Sequence, residues 1–160
     1  MSRFYSERRL KLLLNLFPPL LFSRVRLRRV APGFREMEVR VLRSILNTNF
    51  ERSIFGGTIF SAADPFYSLM YWQALAHQGV TTQVFLKKAE VHYKKPALTH
   101  LTMLFKLEEE ELESVRLELA QTGRAERWHT VSAVDTQGQI CAEIRTLVHL
   151  KLRGQLGASV

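Results

Sequence analysis

Apolar and polar residues alternate with a period of two in several stretches of the chain. Val25 and Leu27 are set between Arg24, Arg26 and Arg28, and Met37, Val39 and Val41 alternate with Glu36, Glu38 and Arg40. Both patterns predict strands with one wet face. Leu46 to Ser53 has no period and predicts a loop. From Thr58 to His77 the pattern changes to an apolar run with one acidic residue, Asp64, and Gly79 follows as a stop signal. A helix apolar nearly all round is a buried one, so a central helix is expected over 57–77, with Pro65 kinking or restarting it. Val84 to Lys94, Leu98 to Leu107, Trp128 to Val134 and Ile140 to Leu152 predict four further strands, the last two joined by the turn signal Asp135-Thr-Gln-Gly138. Between the two pairs, Glu108 to Gln121 carries Leu112, Val115 and Leu119 at helical spacing, glutamates at its start and Gly123 just beyond. These features predict a surface helix aligned with its dipole.

The expected order is helix, two strands, buried helix, two strands, short helix, two strands. Hairpin-length connections imply an antiparallel sheet. A long apolar helix must be covered on several sides, and a curved sheet wrapped around it does so economically. The expected class is therefore α+β, with one domain over the 160 residues.

The N-terminal residues 1–22 predict a helix from about Arg3 to Phe17, stopped by Pro18 and Pro19. Their apolar run, Leu12 to Phe22, follows Arg3, Arg8, Arg9 and Lys11 and so resembles a signal peptide. Asn15 and the prolines interrupt it, however, and no small-residue cleavage site follows. It is also too short to span a bilayer, so no membrane span is expected and a surface-lying helix is the less favoured alternative. The single cysteine, Cys141, excludes an intrachain disulfide and a paired-cysteine metal site, and it suits a reducing, cytoplasmic setting. No metal is expected, because the five histidines show no ligand spacing. They are placed on strand and helix surfaces. Charge is unevenly spread: residues 1–46 hold eleven Arg or Lys and three Glu, a balance of +8, while the remainder balances to zero. Such a field attracts phosphate on a nucleic acid or a phosphorylated cofactor, or is simply a solvated basic face.

At Phe55-Gly-Gly-Thr-Ile-Phe-Ser-Ala-Ala-Asp64 the chain resembles the helix-start motif of hotdog-fold acyl-CoA thioesterases of the phenylacetate-pathway type. Asp64-Pro-Phe66, Asn15-Leu-Phe-Pro-Pro19 and Val91-His-Tyr-Lys-Lys-Pro-Ala97 resemble a narrower branch of that group, an uncharacterised thioesterase domain. The resemblance covers nearly the whole chain. It implies a hotdog fold, with Gly57 supplying the backbone N–H that polarises the thioester carbonyl and Asp64 acting as general base or nucleophile. It also implies that coenzyme A enters as part of the substrate, with no separate cofactor. Phe55 departs from the pattern, standing where many relatives carry histidine.

The chemistry has physical reasons. Thioester hydrolysis passes through an oxyanion, which N–H groups at a helix start stabilise. A glycine pair, Gly56 and Gly57, allows close approach to the backbone. Along a continuous helix, Gly57 and Asp64 would be about 10.5 Å apart, so one carbonyl is best served by Gly57 of one subunit and Asp64 of another. A homodimer, or a dimer of dimers, is expected. For Asp64 the alternative is plain capping of a helix that restarts at Pro65. Thr58, Asn49 and Phe55 are candidate substrate neighbours, although Asn47 and Asn49 also suit turn chemistry. Lys94 and Lys95 could meet coenzyme A phosphates or be solvated edge lysines. Cys141 shares a strand face with Glu143 and Arg145, with nothing nearby in sequence to activate it. A non-catalytic acyl-thioester or lipid-binding module on the same fold is the second expectation. Nucleic-acid binding is third, because no recognised module accompanies the basic third.

Overall fold

The computed structural model describes residues 4–153. The expectations for residues 1–3 and 154–160, including a helix start at Arg3 and the ends of the expected domain, lie outside the described residues. Helix α1 spans Glu7–Leu16, with Ser6 accepting a hydrogen bond from the Arg9 N–H as its N-cap. The prolines do more than stop it. After one extended residue, Phe17, Pro18 opens a second helix, α2 (Pro18–Phe22). Proline is well placed there, since the first helical position needs no donor.

Strands β1 (Val25–Val30) and β2 (Glu36–Val41) form the first hairpin. The helix expected over 57–77 is two helices, α3 (Gly56–Ser61) and α4 (Asp64–His77), separated by a turn at Ala62 and Ala63. Pro65 accounts for the break. It has no N–H to donate to the carbonyl four residues earlier, and its ring would clash there. Strands β3 (Thr82–Tyr93) and β4 (Leu101–Lys106) follow, then α5 (Glu109–Thr122) and the long hairpin β5 (Arg124–Asp135) and β6 (Ile140–Leu152). Strand β5 begins four residues before the expected Trp128. Gly123, at φ 76°, ends α5 in a left-handed turn that leads directly into the strand.

The six strands form one antiparallel sheet in the order β1-β2-β4-β5-β6-β3. Inward residues such as Met37, Val39, Met103, Phe105, Ile144 and Val148 are fully buried against α4. On α4, Phe66 and Tyr67 pack their rings 5.1 Å from Phe105, and Met70, Tyr71 and Leu75 complete the core. Helix α1 covers the β1 edge. Asn15 accepts from the Leu27 N–H at 2.8 Å and donates to the Leu27 carbonyl at 3.1 Å, beside a bulge between Leu27 and Arg29. At the opposite edge, no described strand pairs with the outer side of β3.

Candidate active site

The segment before α3 is a loop whose shape is set by two asparagines. Asn47 is buried. Its Nδ2 donates to the carbonyls of Ser23 and Leu42 at 3.0 and 3.1 Å, and its Oδ1 accepts from the Ser44 N–H. The Asn47 carbonyl then accepts the Phe55 N–H at 2.8 Å, fixing where the helix begins. Asn49 clasps Ser53 through both side-chain and main-chain bonds. Both asparagines therefore act as loop-forming residues, the turn chemistry foreseen for them.

The glycine pair is explained by two aromatic rings. A Cβ on Gly56 would lie 2.9 Å from the Tyr93 ring and hydroxyl, and that hydroxyl donates to the Gly56 carbonyl at 2.9 Å. A Cβ on Gly57 would lie 2.4 Å from the Phe55 ring. The close approach that requires glycine is thus made, within this subunit, by Tyr93 and Phe55. The N–H groups of Gly56 and Gly57 have no hydrogen-bond partner among the described residues, as expected at a helix start. Thr58 is buried, with its N–H bonded to the Phe55 carbonyl at 2.9 Å.

Asp64 is the first residue of α4, but it does not cap it. Ala63 holds the N-cap position, with no side-chain cap bond. Among the described residues the Asp64 carboxylate has neither a hydrogen-bond nor an ion-pair partner, and it is exposed. Desolvation by the surrounding chain pushes its pKa above the ordinary carboxylate value. The break at Ala62 and Ala63 also removes the continuous helix on which the 10.5 Å separation from Gly57 was reckoned.

A groove of about 460 Å³ brings together Asn49, Gly56, Tyr93, Lys94 and Lys95 beside Ile54. Gly57, Thr58, Phe55 and Asp64 do not line it. Both lysines are already engaged: Lys94 pairs with Glu143 at 2.7 Å, and Lys95 with Asp135 at 2.7 Å and with Gln139. Lys95 is the main reason the Asp135 carboxyl is held below its usual pKa. Cys141 is fully buried beside Asp135, and burial pushes its thiol up, away from a reactive thiolate. Tyr93 is the residue that sequence reasoning missed. Its only signal was membership of the Val91 to Ala97 motif.

His129 corrects the expectation that every histidine is superficial. It is buried on β5 and stacks on Tyr67 at 4.0 Å, with its Nε2 3.1 Å from the Tyr71 hydroxyl. That hydroxyl donates to Glu111 of α5 at 2.9 Å. Burial lowers the His129 pKa against the opposing pull of Glu111, and burial first, then Glu111, carry the Tyr71 hydroxyl well above its normal range. His129 turned inward because β5 alternates faces along its whole length. Among the described residues, no group of three His, Cys, Asp or Glu is placed to hold a metal.

An antiparallel sheet curved around α4, with a Gly-Gly helix start and Asp64 opening the next helix, is the arrangement of the hotdog fold. The chain belongs to the family described as a domain of unknown function, DUF4442, whose model matches residues 7–150. No curated protein matches it. Among solved structures it is similar to a Pseudomonas aeruginosa protein of unknown function named "probable thioesterase" (TM-score 0.84, 18% identity, covering 96% of this chain and 100% of that one). It is also similar to a Haemophilus influenzae thioesterase (TM-score 0.67, 9% identity, 94% of each chain). A third is the Escherichia coli PaaI protein of the phenylacetic acid degradation operon (TM-score 0.63, 15% identity, 92% and 93%). At these identities the likeness is one of fold.

Proposed function

We propose that the protein is a thioester hydrolase acting on acyl-CoA or a related acyl thioester, as a homodimer or a dimer of dimers. The observation that carries this reading is Asp64: a carboxylate at the start of a buried helix, unpaired among the described residues, with a raised pKa suited to taking up a proton. The fold supports it, since thioesterases occur among the solved relatives. In the proposed reaction, the Gly57 N–H of one subunit polarises the thioester carbonyl. Asp64 of the other takes a proton from water as the water oxygen bonds to the carbonyl carbon; direct attack by the carboxylate is the variant. The oxyanion then collapses, the C–S bond breaks, and the thiolate leaves and takes up a proton.

Two features support self-association. No described strand pairs with the outer edge of the twelve-residue strand β3, and an open edge favours pairing with another strand. Ile45, Phe50 and Phe55 are exposed on and after the loop that carries the glycines. The test is a hydrolysis screen over acyl-CoAs of graded chain length, read by thiol release, alongside light scattering at micromolar protein. Hydrolysis by a dimer or tetramer is expected; a monomer, or no hydrolysis anywhere in the panel, overturns the proposal.

One observation favours a second reading, a non-catalytic acyl-thioester-binding module. The Phe55 ring lies against Gly57, at the position where the thioesterase motif that the sequence resembles carries histidine. Under that reading acyl-CoA binds without turnover, and Phe55→His restores hydrolysis.

A further inference from the structure

The outward side of α1 and α2 bears an apolar surface that the domain does not use. Helix α1 buries Leu10 and turns Leu14 toward the core, while Leu12, Leu13 and Leu16 on its other side are exposed by about half or more. Phe17 and Phe22 continue this surface, exposed by 50% and 69%. The helix is not waiting to be packed internally. Asn15 locks it to Leu27 of β1, and at its start the Tyr5 N–H donates to Gln73 of α4 at 2.7 Å while the Tyr5 carbonyl meets the His77 ring at 3.1 Å. Its outer face is therefore presented from a fixed support.

Cations outnumber carboxylates around this surface. Arg8 and Arg9 lie on the same exposed side as the leucines, one turn nearer the helix start, and Arg28 is exposed on the neighbouring β1. Among the described residues, Arg8, Arg9, Lys11 and Arg28 have no ion-pair partner. All three glutamates of residues 1–46 are engaged: Glu7 with the Gly33 N–H, Glu36 with Arg29 and Lys106, Glu38 with Arg40. Four cations without an ion-pair partner among the described residues thus stand on and beside an outward-facing apolar ridge.

We infer that this ridge docks the protein on an anionic lipid surface, with α1 lying in the plane of the interface. Leu12, Leu13, Leu16, Phe17 and Phe22 enter the acyl boundary, and the arginines and Lys11 sit among the headgroups. This combination of an apolar face and unpaired cations is what interfacial helices use, each basic residue near an anionic membrane adding attraction that salt screens. A second copy of the chain fits less well, because a twofold contact through this ridge would gather Arg8, Arg9, Lys11 and Arg28 of both copies, none of them ion-paired among the described residues, at one interface. The attachment is peripheral, since no described helix is long and apolar enough to cross a membrane. The inference is independent of the proposed hydrolysis and uses none of its residues.

The test is co-sedimentation of the whole chain with vesicles of phosphatidylcholine alone and of phosphatidylcholine with 30% phosphatidylglycerol. The double variant Leu12→Ser/Leu16→Ser and the double variant Arg8→Gln/Arg9→Gln are run in parallel. The wild type is expected to bind the anionic vesicles and to be released by about 0.5 M salt, where screening acts within roughly 4–5 Å. Neutral vesicles are bound at least about tenfold more weakly, and each double variant loses about tenfold on anionic vesicles. Because all four side chains are on the exposed side, circular dichroism and melting temperature should match the wild type. Absence of binding to anionic vesicles at low salt overturns the inference, as does binding that both variants retain. Two further results would also overturn it: a change of oligomeric state in Leu12→Ser/Leu16→Ser would assign the ridge to a second copy, and DNA binding without vesicle binding would assign the cations to nucleic acid.

Discussion

Replacing Asp64 with asparagine separates chemistry from stability. The substitution keeps the shape of the side chain and removes the charge. No hydrogen bond or ion pair of the subunit is lost, since Asp64 makes none among the described residues. Two small effects on stability remain, and they oppose each other. A negative charge in the first turn of α4 is favoured by the helix dipole by about 0.3–1 kcal/mol, and asparagine forfeits this. Desolvation of the carboxylate disfavours the charge, and the raised pKa means that desolvation prevails. The folded state therefore holds this proton more tightly than the unfolded state, and the contribution of Asp64 to stability falls as pH rises through its window above 3.8. At pH 7 Asp64→Asn should be as stable as the wild type or slightly more so, within about 0.5 kcal/mol, because an exposed group is strongly screened. Thioester turnover should fall by about 100-fold or more, equivalent to about 2.7 kcal/mol of transition-state stabilisation. Wild-type turnover should rise with pH as the base loses its proton, through a midpoint raised above the ordinary aspartate value. Thiol release from acyl-CoA and thermal unfolding measure the two effects on the same samples. Turnover equal to wild type in Asp64→Asn would refute the assignment of Asp64.

Gly56→Ala puts a methyl group 2.9 Å from the exposed Tyr93 ring, which must swing aside and give up its bond to the Gly56 carbonyl, and should cost about 1 kcal/mol; in a Tyr93→Ala background the obstacle is gone, and denaturant titration of the four-member cycle should show most of that cost vanish. An equal cost in both backgrounds would mean that something other than the Tyr93 ring makes glycine necessary. His129 is held neutral by burial, with its folded pKa below 6.5, so the unfolded chain takes up the proton first and stability should drop as pH falls below about 6.5. His129→Gln should flatten the change in melting temperature between pH 7 and pH 5, and an unaltered pH profile would place the sensitivity elsewhere.

Sequence periodicity determined the strands and the buried helix, and the hairpin-length connections the antiparallel α+β class. Alternation in β2, β4 and β6 and the apolar run after Gly57 are direct imprints of which face meets the core. The motif around Gly56, Gly57 and Asp64 was equally legible, because a glycine pair and an Asp-Pro step are local punctuation. Positions that depend on residues distant in the chain were not. Pro18 and Pro19 read as a stop, yet the chain had room to begin α2 at once. The ion pairs of Lys94 with Glu143 of β6 and of Lys95 with Asp135 at the end of β5 could not be read from the sequence. Tyr93 could not be recognised as the reason for Gly56, since 37 residues separate the two. Alternation with Val131 and Ala133 placed His129 on the inward face of β5, but its partners Tyr71 and Glu111, which reach it from two different helices, could not be read from the sequence. Periodicity records how a residue faces its own element. Which side chains share a site is decided when the sheet closes around α4, and that geometry is written only in contacts between elements.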